Sequence, residues 1–145
     1  MPDRNADVNT RVIDEFRAGA GRVGGVFAGK QLVLLHHVGP VSGREYVTPL
    51  VAATDGDAYL VCGTAGGAPR DPAWVGNIEA GPGTTTIEVG GQTLQAQTTV
   101  VRPSDSDWAR LYEIWATYWP DARTYQTRTS RQFPVIRLLP LTPAA

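Results

Sequence analysis

The sequence predicts an α+β fold in which antiparallel hairpins close into a β-barrel with helices packed outside it. Two observations carry this. Sixteen glycines and eleven prolines punctuate 145 residues, which favours short strands and turns over a helical bundle. Between these breaks the apolar residues switch from helical spacing to short runs, in the order helix, three strands, short helix, two strands, helix, strand. One domain is expected over residues 1–145, with residues 1–30 as an N-terminal helix and glycine-rich lead-in.

Val12, Ile13, Phe16, Val23, Val26 and Phe27 recur at helical spacing, placing a first helix from Asp7 or Asn9 onward. Gly19, Gly21, Gly24 and Gly25 weaken its second half, since an interior glycine costs up to about 1 kcal/mol relative to alanine. Leu32 to Leu35 reads as a buried strand, closed by a turn at Gly39-Pro40 and Ser42-Gly43, with Tyr46 to Thr54 as the return strand. Asp55-Gly56-Asp57 turns the chain into a strand over 58–64. Asp71-Pro72-Ala73-Trp74 predicts a helix capped by Asp71, ending by Gly81-Pro82. Strands over 84–89 and 92–101 meet at Gly90-Gly91, and Ser104 or Asp105 caps a helix running to Tyr118. Trp108, Leu111, Tyr112, Trp115 and Trp119 share one face of it, and Pro134 to Leu141 closes the sheet.

Bulk chemistry removes several functions. A net charge of -1 leaves no basic excess for a phosphate backbone, so nucleic acid is not an expected partner. Cys62 is the single cysteine, which forbids an intrachain disulfide and points to a reducing, cytoplasmic compartment. No secretory signal and no run of about 20 apolar residues stands out. The polar face of the first helix carries Arg11, Arg17, Arg22 and Lys30, so peripheral contact with a membrane or partner is the alternative to covering the barrel. No metal site is expected: adjacent His36 and His37 point to opposite faces of a strand, one outward and one packed or hydrogen-bonded. There is no Walker loop or dinucleotide fingerprint.

The densest cluster runs from Thr64 to Asn77. A strand ends in Gly66-Gly67, where a backbone without Cβ atoms lets a ligand approach, and a helix N-terminus follows. Trp74 and Asn77 project from one side of that helix. Together with Ser42-Gly43-Arg44-Glu45-Tyr46-Val47-Thr48-Pro49-Leu50, Asp71-Pro72-Ala73-Trp74, Trp119-Pro120 and Thr124-Tyr125-Gln126, this cluster resembles the deazaflavin-dependent nitroreductases of actinobacteria.

The resemblance implies a split β-barrel of the FMN-binding-like type, holding coenzyme F420 and passing hydride to a quinone, nitro compound or activated alkene. It also implies a cofactor groove at Pro49, Thr64, Gly66, Gly67, Trp74 and Asn77, with Cys62 and Ala65 beside Thr64 and with Arg44 and Tyr46 near the first turn. Backbone N–H groups of Gly66 and Gly67 would serve phosphate or ring carbonyls. Tyr125 or a water would supply a proton and Thr64 a hydrogen bond, with Val51, Trp115, Trp119 and Tyr125 as the substrate pocket.

The sequence departs from that family where charge is concerned. Pro40-Val41 replaces two cations in the first turn, Tyr46 an arginine, and Ala65 a lysine; Val51, Trp119 and Ala122 replace tyrosines. Arg44 and Arg70 are the nearby substitutes. Two alternatives follow: a barrel binding an apolar molecule such as a fatty acid or running a cofactor-independent tailoring reaction, and a barrel binding flavin mononucleotide. A homodimer is expected from fold analogy.

Overall fold

The computed structural model describes residues 4–141. Its helices are α1 (Arg4–Ala18), α2 (Ala73–Glu79), α3 (Trp108–Tyr118) and α4 (Asp121–Gln126). The strands are β1 (Leu32–Val38), β2 (Glu45–Val51), β3 (Ala53–Asp55), β4 (Ala58–Cys62), β5 (Thr84–Val89), β6 (Gln92–Val101) and β7 (Val135–Pro140).

All seven strands join one antiparallel sheet in the order β2-β1-β5-β6-β7-β4-β3. Its two edge strands are neighbours in the chain, separated by Ala52 alone. Passing from one edge to the other through a single residue forces the sheet to curl, producing a half-closed split barrel. The Ala52 amide donates to the Gln31 carbonyl at 3.0 Å, which ties the crossing point to the start of β1. The strand expected over 46–54 is therefore two strands. Across the break the partner changes from β1, where Leu34 faces Pro49, to β4, where Thr54 faces Tyr59.

Alternation along the strands separates two cores. Val33, Leu35, Val61, Ile87, Ala96, Ile136 and Leu138 pack on one face with Trp74, Val75 and Ile78 of α2. On the other face Leu32, Leu34, Val51, Leu60, Cys62 and Val135 meet Phe16 of α1, Leu111 and Trp115 of α3, and Phe133. Each indole N–H of α3 has an acceptor: Trp108 donates to the Phe133 carbonyl at 2.7 Å, and Trp115 to the Val51 carbonyl at 3.0 Å.

Helix boundaries differ from the pattern-based expectation for local reasons. α1 begins at Arg4 and stops at Ala18, because Ala20 and Gly21 take φ of 52° and 96°. Gly21 is required there: a Cβ would lie 2.7 Å from Gly90 Cα in the β5–β6 hairpin. Val26 and Phe27 thus leave the helix and join a short 3-10 turn, Gly25–Phe27. Asp71 does not cap α2, whose N-cap is Pro72; its carboxylate accepts from Arg102 and Arg131, both at 2.7 Å. α3 starts at Trp108 and has neither Ser104 nor Asp105 as cap, the Asp105 carboxylate accepting from the Arg102 amide instead. α4, which carries Tyr125, follows Trp119-Pro120 and had no periodic apolar signal.

Candidate functional site

Where the β2–β3 crossing, the end of β4 and the C-terminal ends of α3 and α4 converge, they line an open cavity of about 160 Å³. Pro49, Leu50 and Val51 form one wall from β2, and Cys62, Thr64 and Gly66 form the floor. Trp115 and Trp119 close it from α3, Tyr125 from α4 and Phe27 from the 3-10 turn. Phe27 stacks on Trp119 with ring centroids 5.8 Å apart. None of these residues is charged.

Two polar side chains reach the cavity. Tyr125 Oη accepts from Trp119 Nε1 at 3.3 Å, which orients the phenol and leaves its own O–H to donate elsewhere. Thr64 is 9% exposed, and what it exposes lines the cavity. Cys62 also lines the floor, but burial pushes its thiol well above the ordinary range, so it is no thiolate at neutral pH.

The floor is a tight turn fixed from behind. Gly67 N–H donates to the Thr64 carbonyl at 2.9 Å and Ala68 N–H to the Ala65 carbonyl at 3.2 Å. Three successive residues, Ala65, Gly66 and Gly67, have positive φ (46°, 65° and 90°). Arg131 clamps this shape: it donates to the carbonyls of Gly63, Thr64 and Ala68 and pairs with Asp71, all between 2.7 and 3.1 Å. A Cβ on Gly67 would collide with the Tyr125 carbonyl, so this glycine serves the contact between turn and α4. Its N–H is consumed within the turn, which corrects the expectation that it faces a ligand. A Cβ on Gly66, by contrast, would meet nothing within 4 Å, leaving open space on the cavity side.

The remaining sequence-selected residues lie elsewhere. Trp74 packs in the α2 core. Asn77 Nδ2 donates to His37 Nδ1 at 3.0 Å, so His37 Nε2 bears the proton and donates to Thr48 Oγ1 at 2.8 Å. His37 also stacks on Tyr46 at 5.4 Å, and Arg44 lies over that same tyrosine ring. Burial lowers the His37 pKa to about 4 and keeps it neutral. His36, on the opposite face, pairs with Glu88, which also holds Arg17 of α1. Arg44, Tyr46, Ala65, Gly67, Trp74 and Asn77 do not line the cavity; Pro49, Val51, Cys62, Thr64, Gly66, Trp115, Trp119 and Tyr125 do. Ala122 is fully buried.

Sequence reasoning passed over Phe27, Leu50 and Arg131. Phe27 fits the apolar stripe of α1 so well that nothing in the sequence sets it apart. Arg131 sits in an irregular segment whose role emerges only from the carbonyls it meets. No helix among the described residues is long and apolar enough to cross a membrane.

Residues 9–140 match the family described as F420H(2)-dependent quinone reductase. An F420H(2)-dependent quinone reductase of Mycobacterium tuberculosis is 38% identical over 125 residues, covering 85% of this chain and 83% of the relative. Among solved structures, an F420-H2 dependent reductase superposes with a TM-score of 0.63 at 24% identity, covering 74% of this chain and 92% of the other. A haem storage protein of Vibrio cholerae gives 0.56 at 17%, covering 90% and 88%. A FAD-binding protein of Mesorhizobium loti gives 0.53 at 12%, covering 92% and 85%. At these identities the structures speak for the split-barrel fold.

Proposed function

The chain belongs to the F420H(2)-dependent quinone reductase family, and from that premise we propose that it reduces a flat quinone in the aromatic cavity between β2, β4, α3 and α4. It is a deazaflavin-dependent reductase whose cofactor is coenzyme F420. The residues fit that group: uncharged walls suit a planar ring system, Gly66 leaves the floor open where a Cβ would stand, and Thr64 brings a hydroxyl to the lining. When bound, the reduced deazaflavin supplies a hydride.

The chain's own residues do the rest. Pro49, Val51 and Gly66 bound the face on which the ring would lie. Phe27, Trp115 and Trp119 exclude water and stack on a second flat ring. Thr64 Oγ1 donates a hydrogen bond to a ring or quinone oxygen, which stabilises negative charge that develops there. Tyr125 Oη, held by Trp119 Nε1, directs its O–H toward the cavity and places a proton near the reduced oxygen. Trp74, Asn77, Arg44 and Tyr46 take no part in the ring cavity.

The observation that carries it is the coincidence of an oriented Tyr125 hydroxyl and the Thr64 hydroxyl in a cavity lined by aromatic and uncharged residues. Turnover with reduced F420 and a small quinone is expected, followed by recovery of the oxidised cofactor's fluorescence. Turnover of a nitro compound but no quinone would overturn the choice of acceptor.

A further inference from the structure

A ring-binding cavity without charge leaves the cofactor's anionic part, its phosphodiester and glutamate tail, to be held at the rim. Two cations contact the cavity's lining among the described residues. Arg131 reaches the Thr64 carbonyl, but its side chain is 15% exposed and its charge is offset by Asp71 at 2.7 Å. The other is Arg128, just beyond α4. Its Nη1 donates to the Gly66 carbonyl at 3.0 Å, and its guanidinium lies 5.7 Å from the centroid of the Tyr125 ring.

Arg128 is thus anchored to the two elements that form this rim, the turn and α4, yet it is in no salt bridge among the described residues. A guanidinium has five N–H donors, and here one is used. The remaining donors sit on a solvent-exposed group. Holding an arginine in place without a counter-ion preorganises it for an anionic oxygen, and the planar fork suits phosphate. The alternatives are less well placed: Lys30 is spent on the Tyr118 carbonyl at 2.8 Å, and Arg44 lies over Tyr46, away from the cavity lining.

We propose that Arg128 is the residue with which this protein grips the phosphate-bearing tail of its cofactor, making it a specificity determinant for F420 over a tail-less deazaflavin. The proposal rests on the reading of the cavity as the F420 site.

The test is a fluorescence titration of wild type, Arg128→Gln and Arg128→Lys with two probes, F420 and the deazaflavin chromophore that keeps its ribityl chain but lacks phosphate. Wild type is expected to prefer F420 by about tenfold or more, the scale of one charge-assisted hydrogen bond. That preference collapses in Arg128→Gln and returns in part in Arg128→Lys, while the phosphate-free probe binds all three alike. An unchanged preference in Arg128→Gln overturns the proposal while leaving the site intact. So does an unchanged F420 affinity accompanied by a raised KM for a carboxylated quinone, which would assign Arg128 to the acceptor. Failure of wild type to bind either probe would instead reject the cavity as the F420 site.

Discussion

Tyr125 and Trp119 form the most informative pair in the cavity, because the indole N–H occupies a lone pair of the phenol and leaves its proton free. Tyr125→Phe is expected to lower kcat about 10²-fold or more with little change in cofactor affinity, as removal of a general acid does. Equal turnover would reduce Tyr125 to a wall residue. Gly66 and Gly67 separate cleanly by the same kind of reasoning. Gly67→Ala forces a Cβ against the Tyr125 carbonyl at a φ of 90°, and a loss of about 2 kcal/mol or more is expected in urea unfolding. Gly66→Ala meets open space, so it bears only the left-handed backbone penalty of about 1 kcal/mol. From sequence both look like the same ligand-facing glycine. The difference depends on α4 arriving behind Gly67, which no local signal around residue 67 announces.

At the scale of elements, the Thr64–Ala68 turn depends on a residue more than 60 positions away. Arg131→Met removes five hydrogen bonds to the turn and Asp71, and a destabilisation of about 2–4 kcal/mol is expected. Arg131→Lys should recover little, since one ammonium cannot span carbonyls of Gly63, Thr64 and Ala68 together. Thermal unfolding of the three proteins checks this, and full recovery by lysine would refute the clamp. Strands β5 and β6 were legible to the residue, because alternation and the Gly90-Gly91 turn agree. The β2–β3 break was not legible: Ala52 is an ordinary strand residue, and its crossing follows from pairing at both sheet edges. α4 was silent for a similar reason, with Ala122 its one fully buried side chain.

For the whole molecule, the split barrel and the cavity's position beside Gly66 could be read from motif order, while the allocation of residues to two faces could not. Trp74 and Asn77 share a helix face with each other but belong to the α2 side, where Asn77 fixes the tautomer of His37. That arrangement makes stability depend on pH. His37 titrates at about 4 in the fold and near 6.5 when unfolded, so the unfolded chain takes up the proton first as pH falls. Stability is fully present above about pH 6.5 and declines toward pH 4. Glu88, its pKa lowered chiefly by the Arg17 hydrogen bond, adds a further loss in more acidic solution. Urea unfolding across this range should show the decline in wild type and a shallower one in His37→Gln; parallel curves would contradict the assignment.

The central claim is that the uncharged cavity between Thr64, Trp115, Trp119 and Tyr125 receives the deazaflavin ring. Titrating oxidised F420 into the protein, while following both cofactor emission and tryptophan emission, tests it most directly. Two of the four tryptophans line the cavity, so saturable quenching of tryptophan emission is predicted at the same midpoint as the change in cofactor fluorescence. A change in neither signal at high protein concentration would contradict it.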